Sequence, residues 1–344
     1  MGEIGEGRSL TWVTHNGAAR IDRPFLIIPK SFPFVIVSGD METLKGRDLL
    51  SLADLSREEV MHLLELAVQL KQGRVSLQCN KVLGLLFQKA STRTRVSFSV
   101  AMYQLGGQVI DLNPASTQVS RGEPLEDTAR VLDRYLDALA IRTFKQDDLE
   151  TMAHHARIPV INALTDQEHP CQILADLLTV QESFGSLRGL TLAYVGDGNN
   201  VAHSLLLGCA LVGMNVRIAS PAEYQPAAAI VSQAERLAID TEVKITNDPA
   251  IAVADAHVLY TDVWASMGQE DEVGSRVPVF QPYQLNEALL QVADPQAIVL
   301  HCLPAHRGEE ITDAVIEGPQ SRVWEQAENR LHAQKALLAS ILCP

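Results

Sequence analysis

The sequence predicts an α/β fold made of two doubly wound parallel-sheet domains with a cleft between them. Short apolar runs of strand length alternate with helical patterns in both halves of the chain, which implies parallel strands covered by helices on both faces. The alternation restarts after Gly185–Gly189, and 344 residues suit two domains. Residues with chemical reach sit just past the ends of the apolar runs, where open α/β sheets bind ligands. The expected divisions are 1–40, a poorly structured extension; 41–184 and 185–320, the two domains; and 321–344, a final helix.

Each element has a local reason. Pro24, Pro29 and Pro33 break up the apolar stretch Phe25 to Val37, and Glu3 and Glu6 stand where a signal peptide would need basic residues; Met41 reads as an alternative start. Ser56-Arg-Glu-Glu59 is a capping box, and Val60, Leu63, Leu64 and Ala67 follow on one helical face until Gly73. Val82 to Phe87 is a buried strand, 92–105 a helix closed by Gly106-Gly107, and Gln108 to Leu112 a short strand. A polar loop to Gly122 holds Ser116, Gln118, Ser120 and Arg121; Pro124 opens a helix to about Tyr135. Strand 138–141 ends at Arg142, a helix covers 147–157, strand 159–163 leads to His169, and Pro170 starts a helix to about Ser183. The second half reads as strand 190–195, a turn at 196–200, a helix to Val212, strand 215–219, helix 227–238, strand 242–246, a short helix and strand 257–261. A polar loop over 262–281, a helix over 282–290, strand 297–301, a loop from Cys302 and a last helix over 321–342 complete the chain.

A net charge of −14 argues against nucleic acid or an anionic membrane surface as partner, so an anionic substrate would need a local cationic site. The longest apolar run, Leu205 to Met214, is too short to span a bilayer. Five scattered cysteines, odd in number and without Cys-x-x-Cys, argue against a disulfide framework or a zinc site and for a reducing, cytoplasmic setting.

Ser91-Thr-Arg-Thr-Arg95 lies where a strand passes into a helix. The first N–H groups of a helix lack internal partners and its macrodipole is positive there, so hydroxyls and guanidiniums at that end make an anion site, best suited to phosphate. An N-cap with two solvated arginines is the plainer alternative. His169 and Gln172, three apart at a helix start, can each donate to a carbonyl oxygen, and Arg142 ends a neighbouring strand. Asp262, also at a strand end, suits a substrate ammonium, and Gly268 in its loop allows closure. Cys302 stands among His301, His306 and Arg307, a cationic setting in which a thiol can ionise. The two histidines match no recognised metal-ligand spacing. Gly196-Asp-Gly198 suggests a dinucleotide loop, but Val201 replaces the third glycine and strand 216–219 ends in Ser220-Pro221 without an acid.

In order and spacing, Ser91-Thr-Arg-Thr-Arg95, His169-Pro-x-Gln172, Asp262-x-Trp-x-Ser-Met-Gly268 and His301-Cys-Leu-Pro304 resemble the ornithine carbamoyltransferases over residues 42–343. The resemblance implies that Ser91, Thr92, Arg93 and Thr94 hold the phosphate of carbamoyl phosphate, and that Arg142, His169 and Gln172 hold and polarise its carbonyl. It further implies that Gln118 reaches that ligand across a subunit boundary, that Cys302 and Leu303 border the reacting groups, and that Arg330 completes the site. Asn200, Asp262, Ser266 and Met267 would bind ornithine, with Arg93, Arg142, His169 and Cys302 as the catalytic set. It implies a homotrimer whose last helix packs back on the first domain, needing no metal or organic cofactor. Gln88 departs from a usual glutamate and Ala90 from a usual polar residue.

Overall fold

A computed structural model of the chain describes residues 44–113, 117–265 and 272–343. The expected extension at 1–40, Ser266 and Met267 lie outside the described residues.

Two open parallel sheets form the frame. In the first, β1 (Val82–Phe87), β2 (Gln108–Leu112), β3 (Ala138–Arg142) and β4 (Val160–Leu164) lie in the order β2-β1-β3-β4. In the second, β5 (Thr191–Val195), β6 (Asn215–Ala219), β7 (Val243–Thr246), β8 (Val258–Thr261) and β9 (Ile298–His301) lie in the order β7-β6-β5-β8-β9. Every pairing is parallel. Strand order reverses between β1 and β3 and between β5 and β8, and ligands bind at the carboxyl ends of such switch points. Ser91 follows β1, Arg142 ends β3, Asp197 follows β5 and Asp262 follows β8.

The helices cover both faces. α1 (Arg57–Lys71) begins at the expected capping box, with Ser56 Oγ accepting from Glu59 N–H and the Glu59 carboxylate accepting from Ser56 N–H. α2 (Thr92–Gln104), α3 (Leu125–Leu132) and α4 (Gln146–His155) serve the first sheet. α5 (Pro170–Phe184) is buried on every face from Pro170 to Val180, as is α6 (Asn200–Val212) from Val201 onward, so both are core helices, mostly apolar all round, rather than amphipathic surface ones. α7 (Ala228–Leu237) and α8 (Pro249–Val253) follow. α9 (Val273–Phe280) lies inside the stretch expected to be a polar loop: Pro278 interrupts it, and Phe280 is buried against Trp264, an anchor that local pattern does not reveal. α10 (Glu287–Leu290) is shorter than expected, α11 (Asp313–Ile316) was not expected, and α12 (Val323–Leu342) is the final helix.

α12 packs on α5, α1 and α2, so the chain's last helix returns to the first sheet's elements as expected. It buries Leu337, Leu338, Ile341 and Leu342, worth about 2 kcal/mol each. One continuous apolar core runs from Leu83 and Leu85 through α5, α6 and α12 to Tyr194 and Leu300. Cys343, beyond α12, is disulfide-bonded to Cys79 ahead of β1, with Cα atoms 4.7 Å apart. This corrects the expectation of no disulfide: the partners are 264 residues apart, a pairing that cysteine spacing cannot disclose. No helix among the described residues is long and apolar enough to cross a membrane.

Candidate active site

The carboxyl ends of both sheets open onto one cavity of about 500 Å³. Its first wall begins at α2. Ser91 caps that helix, its Oγ accepting from Thr94 N–H at 3.2 Å, so the capping and anion-site readings describe the same residue. Ser91, Arg93 and Thr94 line the cavity; Thr92, one residue from the cap, is exposed and does not. Arg95 turns away to pair with Asp111 of β2 over the Phe87 ring, so only one of the motif's two arginines serves the cavity. Gln88 N–H donates to Arg142 O at 2.8 Å and Gln88 Oε1 accepts from Thr143 at 2.9 Å, locking the ends of β1 and β3 together.

Three guanidiniums converge here: Arg93, Arg142 and, from α12, Arg330. Arg330 donates to Gln172 Oε1 at 2.5 Å and to Thr94 Oγ1 at 3.0 Å. Burial, then the charges of Arg330 and Arg93, bring the Arg142 pKa down to about 10, which leaves it cationic at neutral pH. Burial and the three arginines push the His169 pKa well below its usual value, so its imidazole is neutral and offers one N–H. The Nε atoms of Arg142 and Arg330 are buried without a partner. Unpartnered donors around a cationic hollow describe a site for an anion with further oxygens to share. Gln172 differs from expectation: its Nε2 donates to Asp176 at 2.8 Å, so its oxygen, an acceptor, is the end shared with Arg330.

The opposite wall comes from the second sheet. Asn199 caps α6 through Oδ1 and donates through Nδ2 to Asp262 Oδ2 at 3.0 Å. Cys302 Sγ donates to Asp262 Oδ1 at 2.9 Å. Burial, then the Asp262 carboxylate, push the Cys302 thiol well above its usual pKa, so the expected ionisable thiol is corrected to a protonated donor. The reason is its neighbour: His301 points behind the loop, where Nδ1 accepts Leu303 N–H at 2.8 Å and Nε2 donates to Glu310 at 3.1 Å. That brace holds Leu303 at φ 59, unusual for a bulky residue, and its carbonyl accepts from Arg93 across the cavity at 2.6 Å. Asp262, His301 and Cys302 bring ligand-type atoms within 4.8 Å of one another, but each is engaged by these bonds. Asn200 lines the cavity and donates to Thr165 O at 2.5 Å.

Gln118 is exposed and does not line the cavity of its own chain. Sequence reading missed Lys89, a buried lining residue paired with Asp166, 4.3 Å over the Phe144 ring. It also missed Arg276, which donates to Asp197 and Trp264 O at 2.9 Å each and so fastens the loop after β8 to the turn after β5. Lys89 was signalled by its place beside Ser91; nothing local marks Arg276. The Gly196-Asp-Gly198 pattern has a packing cause: a Cβ on Gly198 would overlap the backbone of Gln225 and Pro226.

Residues 47–182 match the carbamoyl-P binding domain of the aspartate/ornithine carbamoyltransferases, and 188–341 match their Asp/Orn binding domain. The chain belongs to this family. It is 75% identical over 303 residues to the ornithine carbamoyltransferase of Nostoc punctiforme, covering 88% of this chain and 99% of that one. The crystal structure of ornithine carbamoyltransferase from Gloeobacter violaceus aligns with a TM-score of 0.80 at 59% identity, over 87% of this chain and all (100%) of that one. The enzyme from Pyrococcus furiosus aligns with a TM-score of 0.82 at 49% identity, over 87% and 98%. In this carbamoyltransferase the cavity is shared between the two matched regions: Ser91, Arg142 and His169 come from one, Asp262, Cys302 and Arg330 from the other.

Proposed function

We propose that this chain transfers the carbamoyl group of carbamoyl phosphate to the δ-amine of L-ornithine, giving L-citrulline and phosphate, as a step of arginine biosynthesis. The observation that carries this is the polarity of one cavity, with three guanidiniums on one wall and the Asp262–Cys302–Asn199 group on the other. A doubly charged phosphate fits the first, and the amine end of an amino acid the second.

Ser91, Arg93, Thr94 and Arg330 hold the phosphate; Thr92, which does not line the cavity, would contribute only its backbone N–H at the start of α2. Arg142 and His169 donate to the carbonyl oxygen; a neutral imidazole suits this role because it need not be desolvated as an ion. Gln172 Oε1 and the Leu303 carbonyl accept from the carbamoyl NH₂. Asn200, Asp262, Ser266 and Met267 bind ornithine. The uncharged δ-amine attacks the carbonyl carbon, its lone pair forming the C–N bond while the C=O electrons move to oxygen. Arg142 and His169 stabilise that oxyanion; as its electrons re-form the C=O, the C–O bond to phosphate breaks, Arg93 and Arg330 stabilise the departing phosphate, and that phosphate carries away the proton the attacking nitrogen sheds. Asp262 and the Cys302 thiol orient the amine. Holding both reactants in one cavity supplies much of the rate.

The domain division is taken as 41–184, 185–320 and the returning helix 321–344. Assembly as a homotrimer is supported by apolar side chains exposed on the first sheet's elements: Ile110 on edge strand β2, Val96 and Tyr103 on α2, and Val131 and Tyr135 at α3, which covers the opposite face. Gln118, which follows β2, is exposed and does not line its own chain's cavity, so its contact with carbamoyl phosphate would be made in a neighbour's. The setting is taken as cytoplasmic, although the Cys79–Cys343 disulfide withdraws the argument from cysteine use.

Citrulline formation from carbamoyl phosphate and L-ornithine near pH 8, with putrescine and N-acetylornithine in parallel, tests the reading. Selective turnover of ornithine is expected. Turnover of another acceptor would overturn the ornithine half and leave the phosphate half standing.

A further inference from the structure

One buried carboxylate lies behind the cavity without lining it. Asp176 sits on α5 one turn beyond Gln172 and is only 1% exposed. Its Oδ1 accepts from Gln172 Nε2 at 2.8 Å and Gln326 Nε2 at 2.7 Å, and its Oδ2 accepts from Tyr260 Oη at 3.0 Å. The donors come from α5, α12 and β8, so a helix of the first region, the returning helix and a strand of the second sheet meet on one side chain. Gln326 continues the chain of bonds, its Oε1 accepting from His301 N–H at 2.9 Å, next to Cys302. On the other side, Arg330 donates to Gln172 Oε1 at 2.5 Å.

A carboxamide between a carboxylate and a guanidinium has one good orientation. Turned over, its oxygen would face Asp176 and its NH₂ would face Arg330, two repulsions in place of two charge-assisted bonds. We propose that Asp176 is a positioning residue of the donor-substrate site, fixing the Gln172 carboxamide with its oxygen toward the cavity so that the enzyme distinguishes a carbamoyl from an acetyl group. This rests on reading Gln172 as a contact of the carbamoyl group. An acceptor there rewards an N–H donor and leaves the methyl of acetyl phosphate unmatched, and a site that hydrogen-bonds its substrate rejects an analogue lacking the group. Burial lifts the Asp176 pKa to about 6, so both oxygens accept at pH 8.

The test measures, at pH 8, the KM for carbamoyl phosphate and the Ki of acetyl phosphate as a competitor in the full-length enzyme. Asparagine would keep an acceptor, its amide oxygen taking the place of Oδ1 and its NH₂ facing the Tyr260 hydroxyl; Asp176→Leu removes the acceptor and leaves the Gln172 NH₂ without a partner, so that it turns to the cavity. The KM for carbamoyl phosphate is expected to rise about 10- to 100-fold, with the Ki of acetyl phosphate changing less than about threefold because its phosphate contacts remain. Combining Gln172→Glu with Asp176→Asn restores the donor–acceptor order, the introduced carboxylate accepting from both the introduced carboxamide and Arg330. The KM of this double variant is expected to lie well below that of Gln172→Glu alone, in which two carboxylates face each other. A common rise of KM and Ki in Asp176→Leu, or no change in either, overturns the proposal. If Asp176→Leu does not fold, the two Gln172→Glu proteins decide, and a double variant that binds no better than the single, or does not fold, overturns it. Gln172→Ala separates the layers. An unchanged KM there removes Gln172 as a carbamoyl contact; a raised KM with an indifferent Asp176→Leu refutes only the positioning role.

Discussion

Replacing Arg330 by methionine separates binding from folding at the same buried position. Arg330 is 3% exposed, bonds Gln172 and Thr94, and shares one wall of the cavity with the guanidiniums of Arg93 and Arg142. Without substrate, the lost bonds, roughly 1.5–3 kcal/mol each, are set against a buried charge that costs several kcal/mol to desolvate and repels Arg93 and Arg142. Methionine keeps the stem's packing against α5 and α2. The net change in stability should be small, and Tm should move by no more than about 3 °C. With substrate the balance differs, because a phosphate oxygen loses a charge-assisted partner. At about 3 kcal/mol this raises the KM for carbamoyl phosphate on the order of 100-fold. Citrulline assays at saturating ornithine give the KM. Thermal shifts with carbamoyl phosphate give the linkage, about 2.7 kcal/mol at a hundred times Kd for the unaltered enzyme and close to none for Arg330→Met at the same concentration. A KM rise below threefold with a Tm drop above about 5 °C would refute the argument, making Arg330 a fold-holding residue only.

Three further outcomes are expected. Cys302→Ala removes the thiol that donates to Asp262 and should raise the KM for ornithine about tenfold, on the order of 1.4 kcal/mol, with the KM for carbamoyl phosphate within threefold; an unchanged ornithine KM would remove Cys302 from that role. Glu168 is buried, accepts Leu52 N–H at 3.1 Å, and has its pKa raised to about 7 by burial. The folded state therefore holds this proton more tightly than the unfolded one: the stabilisation is complete below the unfolded pKa near 4.5 and is lost as pH rises through about 7. Urea midpoints should fall from pH 5 to pH 8 by an amount worth roughly 3 kcal/mol, and Glu168→Gln should flatten that slope; an equal slope in the variant assigns it elsewhere. Gly198→Ala forces a Cβ into the backbone of Gln225 and Pro226 and should cost about 1–3 kcal/mol in urea unfolding, whereas a loss below about 0.5 kcal/mol would show that this turn yields easily.

The strands were legible because parallel strands buried on both faces are short apolar runs, and such runs ended near the expected residues at Phe87, Arg142, Val195 and His301. Their carboxyl ends carried the chemistry, so Ser91, Arg142, His169, Asp262 and Cys302 could be named before their distances were known. What remained hidden depended on partners far away in the chain. The Cys302 thiol looked cationic in its local sequence and proved to face Asp262, 40 residues earlier. The Gln172 donor proved committed to Asp176, and Arg95 to Asp111 on another strand. α9 escaped because its one strong anchor, Phe280, packs on Trp264 and not within its own turn. The Cys79–Cys343 bond belongs to the same class.

The returning helix has a consequence for modularity. The region matched as the carbamoyl-P half contains the hydroxyls, Arg93, Arg142, His169 and Gln172, and looks like a complete phosphate receptor. Its third guanidinium and the support of its glutamine come instead from α12, at the far end of the chain. A fragment cut at Gly185–Gly189 would expose the apolar bed of α12 and lack Arg330, so it should neither stay soluble by itself nor bind donor substrate. Two fragments expressed together should recover both properties, provided that α12 travels with the second. The halves that the sequence pattern divides so clearly are thus reciprocal rather than interchangeable, and a chimera that exchanges one half between relatives would have to exchange α12 with the first half, not with the second to which it is covalently joined.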